Sequence, residues 1–173
     1  MTRVVRLEKT GNPEVLKLQK VKLEKPGPEE VLIEHKAIGL NYIDTYHRSG
    51  LYPLKLPSGI GGEGSGIIKE IGTQVKDFSV GDNVCYSGGI LGSYSTERNY
   101  SIKNLVKIPK GIDFEIAATL MTKGLTTFYL LHKTYPVSSS EIILFHAAAG
   151  GVGQIFCQWA KSLGCKIIGT VGS

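Results

Sequence analysis

The chain has 173 residues, 42% apolar and 20% charged, a balance that excludes a disordered or fibrous protein. Twenty Lys and Arg against fifteen Asp and Glu leave a net charge of +5, scattered rather than in blocks, so nucleic acid is an unfavoured partner. Three widely spaced cysteines, Cys85, Cys157 and Cys165, with no CxxC pair, exclude a disulfide framework and a four-cysteine zinc lobe, and they point to a reducing cytoplasm.

The first part of the chain reads as short strands. Val4 to Glu8 and Val15 to Leu23 come first, the second alternating apolar and polar side chains. Pro26-Gly27-Pro28 breaks the chain, and alternation resumes from Val31 to Ala37. Asn41 is placed to cap a short helix, Tyr42 to Arg48, which stops near Gly50. A Pro- and Gly-rich loop follows, then the glycine run Gly61-Gly62-Glu63-Gly64-Ser65-Gly66 and a strand from Ile67 to Ile71. Further short strands fit Asn83 to Tyr86, Ser93 to Thr96 and Leu105 to Ile108. Strands of this length and spacing predict a β-barrel or sandwich.

The pattern changes near Asp113. Asp113 is a good cap for a helix over Phe114 to Leu120, and a second helix is predicted from Leu125 to His132. Ser138-Ser139-Ser140 reads as a linker. Glu141 to Phe145 reads as a strand buried on both faces. Gly150-Gly151-Val152-Gly153 then opens a helix, Gln154 to Leu163, which Gly164 stops. Lys166 to Val171 is another apolar strand, so this last stretch is one β-α-β unit. A doubly wound sheet needs more strands than this, and the expectation is a fragment of a longer protein. No stretch approaches the roughly 18 apolar residues of a membrane span, and Met1 to Val5 does not read as a signal peptide.

The strongest chemical signal is Ile142 to Gly153, a buried strand, a Gly-rich turn and a helix in that order. Here Gly150 and Gly151 would give the tight turn and close approach to a pyrophosphate. Gly153 would let helix and strand pack closely, and the helix N-terminus would face the anion. A packing turn without ligand is the plainer alternative. Thr170-Val171-Gly172-Ser173 carries no carboxylate where an NAD site usually places one, which favours NADPH over NADH.

Several segments together resemble the medium-chain dehydrogenase/reductase superfamily, and within it the zinc-free NADPH:quinone oxidoreductases related to ζ-crystallin. They are Gly11-Asn12-Pro13-Glu14-Val15-Leu16, Lys36 to Tyr46, Arg48 to Pro53, Lys123-Gly124-Leu125-Thr126 and His146 to Gly153. The resemblance implies an α+β then α/β chain. A GroES-like β-barrel catalytic domain would occupy 1–124, and the first β-α-β unit of an NADPH-binding Rossmann domain 125–173.

It also implies an enzyme that passes a hydride from NADPH to a quinone or another small electrophilic acceptor. The family's homodimer and a cytoplasmic location go with it. Reduction of enones or 2-alkenals is one alternative, and a non-catalytic remnant or RNA-binding module is another. Zinc-dependent relatives carry Cys where this chain has Asn41 and His where it has Gly62, so no metal is expected. Asn41, Tyr46 and Tyr52 match the polar residues around the acceptor. The cofactor residues implied are Asn41, Tyr42, Thr45, Tyr46, Thr126, Tyr129, Ala149, Gly150, Gly151, Val152 and Gly153.

Plain packing is the alternative for Tyr46, Tyr52 and Tyr129, and local capping for Asp44. His35 reads as a core or cleft residue. His47, His132 and His146 lack ligand spacing. Cys157 and Cys165 read as small buried residues, and Trp159 as core.

Overall fold

Val31 and Ile33 have no solvent exposure, while Leu32 and Glu34 between them are only partly covered. That alternation sets one face of β3 (Glu30–Gly39) into a core. In the computed structural model, which describes residues 1–172, β3 is the second strand of a five-stranded antiparallel sheet. Its companions are β5 (Glu63–Ile71), β6 (Asn83–Ser87), β7 (Glu97–Ser101) and β8 (Leu105–Lys107), in the order β7-β3-β5-β6-β8. The inward side chains Val31, Ile33, Ile68, Val84, Tyr86, Tyr100 and Leu105 form its core. Full burial of each aliphatic side chain contributes about 1.5–3 kcal/mol. A smaller sheet joins β1 (Thr2–Leu7), β2 (Lys17–Val21) and β4 (Ser58–Gly59), with β1 in the middle.

Two bulges interrupt the β3–β5 ladder. The pairing steps from Leu32↔Glu70 to Ile33↔Ile68, leaving Lys69 over, and from His35↔Gly66 to Ala37↔Ser65, leaving Lys36 over. One extra residue thus lies on each strand, and both lysines pair with Glu34. These ion pairs hold the Glu34 carboxyl below its ordinary range, the Lys36 bond being the larger cause.

The chain divides into two compact units, Met1–Met121 and Thr122 onward. In the second, β9 (Ile142–Phe145) and β10 (Lys166–Gly169) pair in parallel, joined by α3 (Gly151–Ser162). Leu131, Phe156, Ala160 and Cys165 are its buried centre, with Trp159 packed partly buried against them.

Several elements differ from the sequence-based expectation. Pro13–Val15 is a 3₁₀ turn, so the strand expected from Val15 begins at Lys17. Ser93 to Thr96 makes one isolated bridge, Val4↔Ser95, rather than a strand. The two helices expected over 114–132 are one, α2 (Phe114–Tyr129), followed by a π turn over Leu130–Thr134. An interior glycine costs a helix only about 1 kcal/mol, too little for Gly124 to break it. The α3 helix starts at Gly151, not Gln154.

β9 is not buried on both faces: Ile142 is 65% and Leu144 59% exposed, while Ile143 and Phe145 pack toward α3. Among the described residues this sheet has two strands and one covering helix, so only one face is sheltered. Cys157 is only partly buried, whereas Cys165 is buried as expected.

Candidate functional site

In the first unit the site grows from the end of β3. Gly39 is followed after one residue by Asn41, the N-cap of α1 (Tyr42–Ser49). The Asn41 backbone N–H donates to Asp44 Oδ2 at 3.0 Å, and the Asp44 N–H donates to the Asn41 carbonyl at 3.0 Å. Asp44 is therefore a capping residue at N3. It is also buried, and the Tyr94 hydroxyl donates to the same Oδ2 at 2.8 Å. Burial, the bond to Asp44 and the charges of Asp44 and Glu63 push the Tyr94 hydroxyl well above its ordinary pKa, so it stays a donor.

The Asn41 side chain is held as well. Its Nδ2 donates to Glu63 Oε1 at 2.7 Å. Glu63 has no solvent exposure and starts β5 directly opposite Gly39. It lies inside the glycine run that precedes the strand expected from Ile67; the structure starts the strand at Glu63 itself. A cavity of about 130 Å³ adjoins this corner, lined by Leu40, Asn41, Asp44, Thr45, Ile60 and Tyr94 among others.

Outward from Asn41, α1 and the loop after it carry a run of aromatic rings. Tyr42 and Tyr46 meet edge to face at 5.3 Å between centroids, and Tyr46 and Tyr52 at 5.2 Å. The Tyr52 N–H donates to the Tyr46 carbonyl at 3.2 Å, which ties the loop to the helix. Tyr42 is 74% and Tyr52 46% exposed, so their faces are open to a flat partner. Thr45 donates its hydroxyl to the Tyr42 carbonyl at 2.7 Å, one turn back in the helix.

His35 accounts for its own burial. Its Nδ1 lies 2.8 Å from the Ser95 carbonyl and its Nε2 2.7 Å from the Tyr86 hydroxyl. A carbonyl only accepts, so Nδ1 carries the proton and Nε2 accepts from Tyr86. Burial lowers His35 to about 4, against the Ser95 bond, and the nearby Arg98 charge adds to the lowering. Burial raises Tyr86 to about 12. The Arg98 guanidinium lies over the rings of Tyr86 and Tyr100, 5.4 and 4.9 Å from their centroids.

Among the described residues no three His, Cys, Asp or Glu side chains gather as a metal site. At Gly62 a Cβ would meet only Leu91 Cδ2, at 3.8 Å. Nor is any helix there long and apolar enough to cross a membrane.

The second unit holds the Gly-rich turn. Its left-handed residue is Ala147, φ 56°, not a glycine; Gly150 is extended. The tight turn assigned to Gly150 is thus made three residues earlier. The glycines matter for space instead. A Cβ at Gly153 would lie 2.6 Å from the carbonyl oxygens of Ala147 and Ala148. One at Gly151 would lie 2.8 Å from Lys123 Cδ and Cε, so the lysine stem crosses that glycine.

Gly150, as N-cap, has no side chain to cap α3, and the N–H groups of Gly151, Val152 and Gly153 form its first turn. Ala149 adjoins them, and its carbonyl accepts from Gln154 Nε2. Thr126 donates its hydroxyl to the Thr122 carbonyl at 2.7 Å, and Tyr129 is 48% exposed at the end of α2. His146 Nδ1 lies 2.9 Å from the Thr170 hydroxyl. Sequence reasoning missed Glu63, Tyr94 and Lys123. The signal for Glu63 was a single carboxylate among glycines.

The alcohol dehydrogenase GroES-like domain model matches residues 27–110. A quinone oxidoreductase of Pseudomonas aeruginosa is 53% identical over 100% of this chain and 54% of its own length. A 2-haloacrylate reductase of Burkholderia is 43% identical over 96% of this chain and 52% of its own. The crystal structure of Escherichia coli quinone oxidoreductase complexed with NADPH superposes with a TM-score of 0.96 at 50% identity, covering 100% of this chain and 53% of that one. The chain spans about half the length of the curated relatives it matches.

Proposed function

We propose that the chain, similar over its whole length to about half of several quinone oxidoreductases, forms part of an NADPH:quinone oxidoreductase of the medium-chain dehydrogenase/reductase superfamily. The observation that carries the reading is the pairing, in one chain, of a fixed polar corner at Asn41 with an uncapped Gly-rich helix start.

NADPH, when bound, supplies the hydride. The first-turn N–H groups of Gly151, Val152 and Gly153 hold its pyrophosphate, with Ala149 and Gly150 beside them. The close packing of α3 on the turn fits that use, since a Cβ at Gly153 would strike the Ala147 and Ala148 carbonyls and push the helix start away. Thr126 and Tyr129 on α2 and Tyr42, Thr45 and Tyr46 on α1 are the remaining cofactor residues proposed. The absence of an acidic side chain over 170–172 favours NADPH over NADH.

Asn41, Tyr46 and Tyr52 bind the acceptor. A quinone accepts a hydride without a Lewis acid, and these side chains supply what it then needs. The Asn41 amide and the tyrosine hydroxyls hydrogen-bond its oxygens, and a hydroxyl can donate a proton to the reduced oxygen. The exposed tyrosine rings give its flat face an apolar surface. Assembly as a homodimer and a cytoplasmic location complete the proposal.

A second reading, reduction of an activated alkene, draws on the likeness to the 2-haloacrylate reductase. Both reactions would use one polar corner, and the acceptor decides between them.

The test is titration of the chain with NADPH and NADH, followed by Trp159 fluorescence. Trp159 packs with Phe128 and His132 in the same unit as the Gly-rich turn, so it reports there. Saturable binding of NADPH, at least tenfold tighter than NADH, is the expected outcome. NADPH consumption with a simple quinone, faster than with 2-chloroacrylate, then selects the first reading.

A further inference from the structure

We infer that Glu63 is a positioning residue for Asn41: its buried carboxyl locks the amide in one orientation and so decides which atoms are offered to the acceptor. The inference rests on the proposal above that Asn41 binds the acceptor.

An asparagine amide has two nearly isosteric ends, NH₂ and O, and a half-exposed one can flip between them. An ionised carboxyl only accepts, so it holds the NH₂ end alone. Here Glu63 Oε1 takes one Nδ2 hydrogen at 2.7 Å. With one amide hydrogen held there, the second Nδ2 hydrogen keeps a fixed direction. The backbone is fixed independently, because the Asn41 N–H is held by Asp44. Asn41 is thereby gripped at main chain and side chain by two separate carboxyls, which leaves it little freedom to reorient.

The surroundings are built around this contact. Glu63 has no solvent exposure, and its carboxyl fits only because the residue opposite is glycine. A Cβ at Gly39 would lie 2.2 Å from Glu63 Oε1. A carboxyl whose task was packing would not need to meet the polar end of the one asparagine that caps α1. Orientation of a binding amide is worth about tenfold in kcat/KM, the effect of one hydrogen bond made or lost.

The experiment compares the full chain with Glu63→Gln, Glu63→Ala, Asn41→Ala and the Glu63→Ala/Asn41→Ala double variant. The first readout is independent of turnover: ¹⁵N-resolved NMR of the Asn41 side-chain NH₂, assigned by its loss in Asn41→Ala. In the native chain its two protons should be well separated and slow to exchange. Glu63→Ala should speed that exchange at least tenfold. Glu63→Gln, which keeps the shape and an acceptor oxygen, should recover part of the protection. Unchanged Asn41 signals in Glu63→Gln and Glu63→Ala overturn the inference.

The second readout is kcat/KM with NADPH and a simple quinone. Each single alanine variant should lose about tenfold, and the double variant no more than the worse single one. Losses that multiply, to about a hundredfold, overturn the positioning role. If the native chain neither binds NADPH nor reduces a quinone, the proposed function falls, while the NMR comparison still decides whether Glu63 orients Asn41.

Discussion

Gly39 and Glu63 face each other across β3 and β5, and the carboxyl occupies the space where a side chain at position 39 would begin. The same space is bounded on another side by the Ala118 carbonyl of α2, 2.5 Å from a Cβ at position 39. Neither a paired strand nor a helix backbone yields easily. Gly39→Ala should therefore destabilise the chain by about 1–3 kcal/mol, the usual cost of overpacking. Urea denaturation followed by circular dichroism checks it. A loss below 0.5 kcal/mol, a bound set by ordinary surface substitutions, would mean that Glu63 moves aside freely (roughly).

In the second unit Gly153 is constrained in the same way, but by two main-chain oxygens, those of Ala147 and Ala148. Gly153→Ala should force α3 away from the turn. The expected result is a loss of about 1–3 kcal/mol in stability and a weaker NADPH affinity, measured by Trp159 fluorescence. Gly172→Ala, where a Cβ meets nothing within 4 Å, is the matched control.

Tyr94 and Asp44 make a buried hydrogen bond at 2.8 Å. Tyr94→Phe removes the donor and leaves the carboxyl short of one partner. The cost should be about 1–3 kcal/mol, since a buried acceptor loses its compensation. Thermal melts of Tyr94→Phe, of Asp44→Asn and of the double variant test the coupling. A double-variant loss equal to the sum of the two single losses would contradict it.

His35 sets a pH dependence. Its folded pKa is lowered to about 4, chiefly by burial, from the ordinary value of about 6.5. The unfolded chain thus takes up a proton before the folded one does. The stabilisation is complete above about pH 6.5 and is lost as the pH falls toward 4, a drop of a few kcal/mol, on the order of 3, at the lower end. Stability measured from pH 7 to pH 4 should fall along that window, and His35→Gln should flatten the slope. An unchanged slope in the variant would assign the pH dependence to other groups.

The helix α1 was legible in sequence because its boundaries are chemical: Asn41 at the start, Asp44 three residues on and Gly50, in the left-handed conformation, at the end. The Gly-rich turn was legible for its order of strand, glycines and helix. Glu63 was hidden because glycines have no side chains to show strand alternation, so the strand was expected to start only at Ile67. The outer face of β9 was misjudged because apolar character says that a residue is suited to burial, not what stands ready to cover it. His35 was readable as a cleft residue, but its partners Tyr86 and Ser95 lie 51 and 60 positions away, beyond any local pattern.

The two bulges of β3 and β5 cancel one another. Were Lys36 drawn into the ladder, the His35↔Gly66 register would run on unbroken and bring Ile38, not Gly39, opposite Glu63. Were Lys36 and Lys69 both drawn in, the ladder would be regular throughout and Gly39 would keep its place. Slips in pairing here are tolerable only in matched pairs, one in each strand. Loss of the Lys36 bulge alone, at a solvent-exposed lysine, would throw the distant end of the strand out of frame and close the Asn41 corner with an isoleucine.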